Sequence, residues 1–301
     1  MRGTAALLLS LLLGSCQRAP VAPPPSPAQQ VIGSGYSLRG LWYYPREDYG
    51  LAETGLGAVI ADSSAGRRTA SGETYDPAAL TAAHRTLQLP VVLRVTNLET
   101  GRSLLVRGND RGPADPGRVV EVSRRAAELL GMAAGRPAQV WIEVEGELSR
   151  ALAATVPRAP GEAPALAITT ASAGTVQREG LAPLPGARQS AQLREGRGPA
   201  VSVAADVAAS TAAPPLRLPE QVSSVPVSPG RLLIQLGTFT GNREAQRQAA
   251  GIPGARVEPF GPGGRPEWRV RLGPYPDPAS ADRALEQVLR RGVSEARILV
   301  D

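Results

Sequence analysis

The chain has 301 residues, a hydrophobic content of 42% and an aromatic content of only 4%, so its folded cores are expected to be smaller than its length suggests. Its 33 glycines and 29 prolines indicate long irregular segments. The net charge is +6, and all 33 basic residues are arginine. A basic chain can bind nucleic acid, but the export signal at the N-terminus argues against that partner.

The N-terminus has the pattern of an export signal. Arg2 precedes the apolar run 5–13, which is too short to span a bilayer. The run ends in Leu-Gly-Ser-Cys, which is typical of a bacterial lipoprotein signal. Cys16 is the only cysteine, so an internal disulfide is excluded. We expect residues 1–15 to be removed and Cys16 to carry acyl chains. Gln17 after it, in place of aspartate, favours the outer membrane.

A first folded domain is predicted over residues 31–146, after a proline-rich tether at 16–30. Alternating apolar and polar residues predict strands at 90–97, 103–109, 119–122 and 138–145. Ser123 has the properties of an N-cap for a helix through Leu130, with Gly131 just past its end. A domain made mostly of strands, with one or two short helices, indicates a small closed barrel.

The segment 36–50 is unusually aromatic for this chain. We expect its rings to pack across the barrel, and direct contact with a ligand is the alternative.

Residues 147–230 contain no Phe, Trp or Tyr and are rich in Ala, Pro, Gly, Ser and Thr. Such a segment buries too little apolar surface to offset its ordering entropy. We therefore predict a disordered linker that gives the C-terminal domain a wide search radius.

Residues 231–301 predict a second domain with the order β-α-β-β-α-β, which is the ferredoxin-like pattern. Asn242 is predicted to cap the first helix, which stops at Gly251. Alternation directs one set of side chains at the helices: Leu232, Ile234, Leu236, Val270 and Leu272. It directs the other set to the open face: Leu233, Gln235, Arg269 and Arg271. That face suits a hydroxyl-rich or acidic ligand, and a merely solvated face is the alternative.

Two acidic residues stand in glycine-rich turns beside arginines. Glu73 and Asp110 form the kind of carboxylate pair that cleaves glycosidic bonds, in which one carboxyl must be held protonated. Alternatively, Arg111 holds Asp110 ionised as a structural pair. His84, the only histidine, is either a structural side chain or a base. One histidine and no available thiol make a poor zinc set, so no metal or cofactor is expected.

Three segments closely resemble the rare lipoprotein A family, the septal-ring lytic transglycosylases. They are GRRTASGE, YDPAALTAAHRTL and LRVTNLETGRSLLVRGNDRGP. The resemblance runs from about Trp42 through Val144 and implies a double-psi β-barrel. Two further segments, RLLIQLGTF and WRVRLGPY, resemble the signature strands of a SPOR domain. In the family this domain binds peptidoglycan stripped of stem peptides. The implied fold is thus a mainly β double-psi barrel plus a small α+β SPOR domain, joined by the linker.

The resemblance also implies a reaction. Glycan strands lacking stem peptides would be cut between N-acetylmuramic acid and N-acetylglucosamine without water, leaving 1,6-anhydro ends. It assigns Asp110 as general acid, Glu73 as base or charge stabiliser, and His84 as an orienting residue. The substrate-binding residues that follow are Arg68, Arg111, Gln235 and Arg271, with Phe239 and Trp268 nearby, Trp268 in the core. Proteins of the division septum are further expected partners.

Several positions depart from the family pattern. The usual A-S-W-Y-G before GRRT is replaced by Gly-Ala-Val-Ile-Ala at 57–61, so an aromatic pair is missing. Gly108 stands where a branched apolar residue is usual, Ala114 where an aromatic residue often occurs, and Glu121 replaces an aspartate. These departures favour an alternative, a weak or inactive glycan-binding envelope lipoprotein with an expansin-like loosening role.

Overall fold

The computed structural model describes residues 28–160, 217–261 and 267–301. The predicted signal peptide, the lipidation site Cys16 and most of the tether lie outside these ranges, as does the middle of the predicted linker. No helix in the described ranges is both long enough and apolar enough to cross a bilayer.

The first domain is a closed barrel of six strands. Eight strands and two helices build the domain: β1 (Tyr36–Leu38), β2 (Leu41–Tyr43), β3 (Ala52–Val59), β4 (Thr81–Ala83), β5 (Val91–Asn97), β6 (Arg102–Asp110), β7 (Val120–Val122), α1 (Arg124–Leu130), β8 (Ala138–Val144) and α2 (Gly146–Thr155). The order around the barrel is β4-β7-β3-β8-β5-β6, and β6 pairs again with β4. The β3–β7 and β4–β6 pairs are parallel, and the others are antiparallel. The predicted barrel is confirmed.

Helix α1 also begins and ends as predicted. The side chain of Ser123 accepts a hydrogen bond from the backbone N–H of Ala126, and Gly131 adopts φ 70° just past the end. An L-residue with a side chain would be strained there. Strands β3 and β4 were not predicted, because β3 carries Gly55 and Gly57 in place of an alternating pattern and β4 has only three small residues.

The aromatic segment forms a hairpin of β1 and β2 on the outside of the barrel. Tyr36 and Tyr43 pair across it, and the Tyr36 hydroxyl donates to the carbonyl of Arg85 at 2.8 Å. The rings of Trp42 and Tyr44 are 64% and 68% exposed. The prediction that the aromatic rings pack across the barrel is therefore wrong for these two, which face away from it.

The predicted disordered linker is wrong at its first part. Helix α2 occupies 146–155, and it buries Ser149 and Leu152 against the barrel. The Ser149 hydroxyl accepts from the N–H of Val92 at 3.0 Å and lies 3.3 Å from its carbonyl oxygen. A single leucine and one well-placed hydroxyl suffice to dock the helix, so the lack of aromatic residues did not indicate disorder here.

The last part of the predicted linker also lies on the barrel. Residues Ser223–Ser224 form β9, which pairs with the start of β6. The N–H of Gly230 donates to Oε1 of Gln139 at 2.8 Å, and Val225 donates to the carbonyl of Gly101. The described end of the segment therefore leads into the second domain along a fixed path, and the rest of the prediction lies outside the described residues.

The second domain is a four-stranded antiparallel sheet with two helices. Its elements are β10 (Leu232–Phe239), α3 (Asn242–Ala250), β11 (Arg256–Phe260), β12 (Glu267–Tyr275), α4 (Pro278–Arg290) and β13 (Arg297–Val300). The order is β11-β12-β10-β13, which confirms the α+β prediction. Gly241, and not Asn242, is the N-cap of α3, whereas Asp277 caps α4 by accepting from the N–H of Ser280.

The two domains touch through β3 of the barrel. The hydroxyl of Thr54 donates to the carbonyl of Val300 at 2.5 Å, and Leu56 is fully buried within the apolar core of the second domain. The guanidinium of Arg118 makes two hydrogen bonds to the carboxylate of Asp282, at 2.7 and 2.8 Å. These contacts place β13 and α4 against the side of the barrel.

Candidate active site

Asp110 lies where β6 ends, and the end of this strand is irregular. Residues Ala82 and Ala83 of β4 pair with Gly108 and Asp110, so β6 carries one extra residue in a bulge that re-aims the side chains after it. A Cβ at Gly108 would lie 2.6 Å from Cγ1 of Val91. The tight contact with Val91 explains why glycine replaces the branched residue usual in the family.

Three donors surround the Asp110 carboxylate. Nη2 of Arg67 donates to Oδ2 at 2.5 Å, and the N–H groups of Ala70 and Arg111 donate to Oδ1 at 2.9 and 2.8 Å. Asp110 thus acts as a hydrogen-bond acceptor toward all three groups, whereas the family resemblance assigns it the role of general acid. The side chain that makes the contact with Oδ2 is Arg67, which was not among the predicted site residues.

Glu73 forms a buried ion pair beneath this layer. Its Oε1 lies 2.5 Å from Nη2 of Arg107, and its Oε2 accepts from the Asn109 amide at 2.5 Å. Both Glu73 and Arg107 are almost completely buried. The close oxygen–nitrogen contact lacks hydrogen-bond alignment, so it acts mainly through charge. Burial lowers the pKa of Arg107, and the neighbouring Glu73 charge opposes that shift.

The loop that carries Glu73 needs glycine at one position. Gly72 adopts φ 88°, which favours glycine. Its N–H donates to the carbonyl of Thr69, and the carbonyl of Glu73 accepts from the N–H of Thr69. This turn reverses the direction of the chain, and the Glu73 side chain therefore lies beneath the barrel rim.

His84 has both ring nitrogens occupied. The N–H groups of Thr86 and Leu87 donate to Nδ1 at 3.3 and 3.2 Å. The proton of the neutral ring is therefore on Nε2, which donates to Oε1 of Glu53 at 3.3 Å. His84 has no ring nitrogen left for a substrate proton. It orients the turn after β4, whose N–H at position 84 donates to the carbonyl of Asp110.

Glu53 is a site residue that the sequence analysis missed. Burial acts to raise its pKa, but the hydrogen bond from His84 and the charge of Arg297 outweigh burial and leave the pKa below its usual value. Oε2 of Glu53 lies 3.4 Å from Nη1 of Arg297 in the second domain. No motif marked it, because its partners are 31 and 244 positions away in the chain.

The two arginines predicted to bind substrate in the barrel differ in their surroundings. The guanidinium of Arg111 donates to the carbonyls of Ile32 and Leu87 at 2.6 and 2.5 Å. It therefore holds the chain before β1 against the barrel. Arg68 is exposed beside Thr74 and remains open to a ligand.

The predicted binding residues of the second domain do lie together. Gln235 and Arg271 are direct cross-strand partners on the face away from the helices. The Gln235 amide donates to the hydroxyl of Thr238 at 3.0 Å, and Nη1 of Arg271 lies 3.5 and 3.4 Å from carboxylate oxygens of Glu258 and Asp301. A ligand would have to exchange these weak contacts for its own.

The aromatic residues near this face are partly buried. Phe239 and Trp268 are paired across strands and pack against the core of the domain, as expected for Trp268. Among residues that the structure describes, no group of three or more His, Cys, Asp or Glu side chains is placed to hold a metal ion.

A closed six-stranded barrel with two parallel strand pairs is a double-psi β-barrel. The comparison with known families agrees: residues 55–142 match the family described as "Lytic transglycolase", and residues 228–298 match the SPOR domain. These segments are a lytic transglycosylase domain and a SPOR domain, and the family resemblance found in the sequence is confirmed.

Curated relatives of this chain are named as endolytic peptidoglycan transglycosylases. The Yersinia pestis protein "Endolytic peptidoglycan transglycosylase RlpA" is 36% identical over 150 residues, which are 42% of this chain and 41% of the relative. Its Pseudomonas aeruginosa namesake is 42% identical over 127 residues, which are 42% and 37% of the two chains. A Nostoc protein called a probable member is 53% identical over 85 residues, which are 28% and 23%. The chain thus spans less than half the length of these relatives.

Proposed function

We propose that this protein is a peptidoglycan lytic transglycosylase. The observation that carries the proposal is the joining of the two predicted carboxylates at one rim of the barrel. The loop 67–73 bonds to the end of β6 through Arg67 and Ala70 on Asp110, and through Glu73 on Asn109. Similarity to relatives named as endolytic transglycosylases supports the same activity.

The bond cut is the one between C1 of N-acetylmuramic acid and O4 of N-acetylglucosamine. The muramyl 6-hydroxyl attacks its own C1, and the glycan is left with a 1,6-anhydro end. Asp110, which is the acceptor of three hydrogen bonds, takes the proton of the attacking hydroxyl. Glu73 and Arg107 fix the strand beneath it.

The second domain binds the glycan and determines where the barrel acts. Gln235 is 9% exposed and the Arg271 side chain 11%, so a glycan would bind their amide and guanidinium donors by displacing the groups that now contact them. These donors suit the hydroxyls of a strand whose stem peptides have been removed. Lipid chains on Cys16 would hold the protein at the periplasmic face of the outer membrane. Binding to stem-peptide-free glycan would enrich it at the division septum, near the proteins that divide the cell.

The assay for this function uses sacculi first treated with an amidase. Purified protein is expected to release fragments with 1,6-anhydro ends, identified by mass spectrometry, and Asp110→Asn is expected to release none. Undigested sacculi with the wild-type protein would contradict the proposal. A fluorescent fusion of the full chain, compared with its Cys16→Ala variant, tests the location, and uniform fluorescence around the cell would contradict septal enrichment.

A glycan-binding protein that does not cut is the second candidate. It is favoured by the aliphatic residues Val59 and Ile60, which stand where the family usually has aromatic rings. The same preparation distinguishes the two functions, because a binder cosediments with amidase-treated sacculi and leaves them intact.

A further inference from the structure

We propose that Glu121 is the proton donor of the barrel's active site, a role that rests on the transglycosylase function proposed above. The first argument is position. Ala83 of β4 pairs with Asp110 on one side and with Glu121 of β7 on the other. The two carboxyl-bearing residues therefore flank the same residue from neighbouring strands.

The side chain of Glu121 turns back toward the Asp110 turn. A Cβ built on Gly112, two residues after Asp110, would lie 3.3 Å from Oε2 of Glu121. The carboxyl thus lies over the backbone that follows Asp110. A glycosidic bond held at this rim would have carboxyl groups from β6 and β7 near it.

The surroundings of Glu121 differ from those of the other carboxyl groups of the site. Asp110 accepts three hydrogen bonds, Glu73 contacts Arg107 and Asn109, and Glu53 is paired with His84. Within 28–160, 217–261 and 267–301, by contrast, no hydrogen bond or ion pair is made to the carboxyl of Glu121. Protonation of the Glu121 carboxyl therefore breaks no hydrogen bond and no ion pair with these residues.

The charges around Glu121 act in both directions. Burial is the largest influence and raises the pKa of Glu121; Arg85 and Arg118 act to lower it, whereas Asp115 and Asp110 act to raise it. Both arginines have other partners. Arg118 is bound by Asp282, and Arg85 donates to the carbonyls of Pro113 and Asp115. The net effect is a raised pKa, which is the direction of shift that a proton donor needs.

A ligand can reach this carboxyl. Glu121 lines a cavity of about 260 Å³ together with Ala58, Val59, Arg118 and Arg136. Ala58 and Val59 belong to the stretch where family members carry aromatic residues, and sugar rings stack on such residues. The cavity therefore leaves the Glu121 carboxyl open to a ligand, beside positions where the family carries aromatic rings.

The proposed step is balanced in atoms and electrons. The C1–O4 bond of the glycan breaks as the muramyl O6–C1 bond forms. The 6-hydroxyl proton passes to the Asp110 carboxylate, and the Glu121 proton passes to the departing O4 of N-acetylglucosamine. No water is consumed, and exchange of protons with solvent restores both carboxyl groups.

The test compares two substrates in the full chain. Glu121→Gln is expected to reduce kcat on stem-peptide-free glycan by about 10²-fold or more while changing KM little. A muramyl glycoside of 2,4-dinitrophenol needs no acid at its leaving oxygen, so its cleavage is expected to fall less than about tenfold. Glu128→Gln on α1 is the matched control and is expected to cleave both substrates like wild type.

The outcomes separate this inference from the proposed function. An equal loss on both substrates, or no loss on either, overturns the role of Glu121 while the enzyme function stands. Wild-type protein that cleaves neither substrate overturns the function itself. A second readout is independent of activity: the carbon-13 resonance of the Glu121 carboxyl, identified by its absence in Glu121→Gln, is expected to titrate above the usual glutamate pKa. Titration at or below that value overturns the proposal.

Discussion

Asp110 and Glu121 lie on either side of Ala83, one at the end of β6 and the other in the middle of β7. The first carboxylate accepts three hydrogen bonds, whereas burial raises the pKa of the second. Two carboxyl groups whose environments differ in this way divide the work of base and acid between them. This pair is the chemical centre of the barrel.

The raised pKa of Glu121 predicts how stability depends on pH. The folded state binds this proton more tightly than the unfolded chain, so the contribution is present below the usual value of 4.5 and is lost as pH rises through the raised pKa. Glu121→Gln, which cannot ionise, should therefore gain stability relative to wild type as the pH rises from 4.5 through the raised pKa of Glu121. Thermal unfolding at several pH values measures this, and a Tm difference that does not change with pH would contradict it.

The buried pair of Glu73 and Arg107 predicts an asymmetric response to mutation. Arg107→Met leaves Glu73 charged and unpaired in the interior, so it should reduce the free energy of unfolding by about 3–5 kcal/mol. The double variant with Glu73→Leu removes both charges and should recover much of that loss. Urea unfolding measures both. Equal destabilisation in the single and double variants would show that the pair does not act through charge.

The two nitrogens of His84 predict different effects for two replacements. His84→Asn keeps an acceptor near the position of Nδ1 for the N–H groups of Thr86 and Leu87. His84→Gln keeps a polar atom near Nε2 but leaves these N–H groups without their acceptor, which should cost about 1–3 kcal/mol. We expect Asn to be the more stable of the two in urea unfolding. The reverse order would mean that the bond to Glu53 matters more than the turn.

The contact between Arg118 and Asp282 predicts energetic coupling between the domains. The pair is bidentate, and the Arg118 side chain is only 10% exposed. A double-mutant cycle to alanine should give a coupling of about 1–3 kcal/mol. The exposed pair of Arg124 and Asp62 is the control and should give less than about 1 kcal/mol. Equal coupling in the two cycles would argue against a fixed contact between the domains.

The aliphatic wall of the Glu121 cavity predicts a gain of function. Val59 lines the cavity at a position where the family carries an aromatic ring. Val59→Trp should strengthen binding of stem-peptide-free glycan by roughly fivefold, or about 1 kcal/mol, because a stacked ring adds apolar contact. Sedimentation with amidase-treated sacculi measures this, and Val222→Trp on an exposed segment away from the cavity is the control. Weaker binding by Val59→Trp would show that the cavity is not a sugar subsite.

Local signals carried the prediction of most elements. Alternation found the long barrel strands and the sheet of the second domain, and the hydroxyl of Ser123 and the glycine at 131 fixed both ends of α1. The prediction of disorder failed where contacts with residues distant in the chain hold a segment in place. Helix α2 and the path of 217–230 depend on contacts with Val92 and Gln139, which composition does not report.

By itself the sequence indicated the resemblance to the lytic transglycosylase and SPOR families, because motifs of neighbouring residues carry it. The roles of Glu73, His84 and Asp110 stay predictions. Only the tertiary structure decided what each group can do. The environment of each carboxyl group depends on strands that are distant in the chain. The loop before β4 supplies donors to Asp110. Glu121 on β7 has no hydrogen-bond donor among the described residues, and burial raises its pKa. Such an environment is a property of the closed barrel, and no segment of the chain contains it alone.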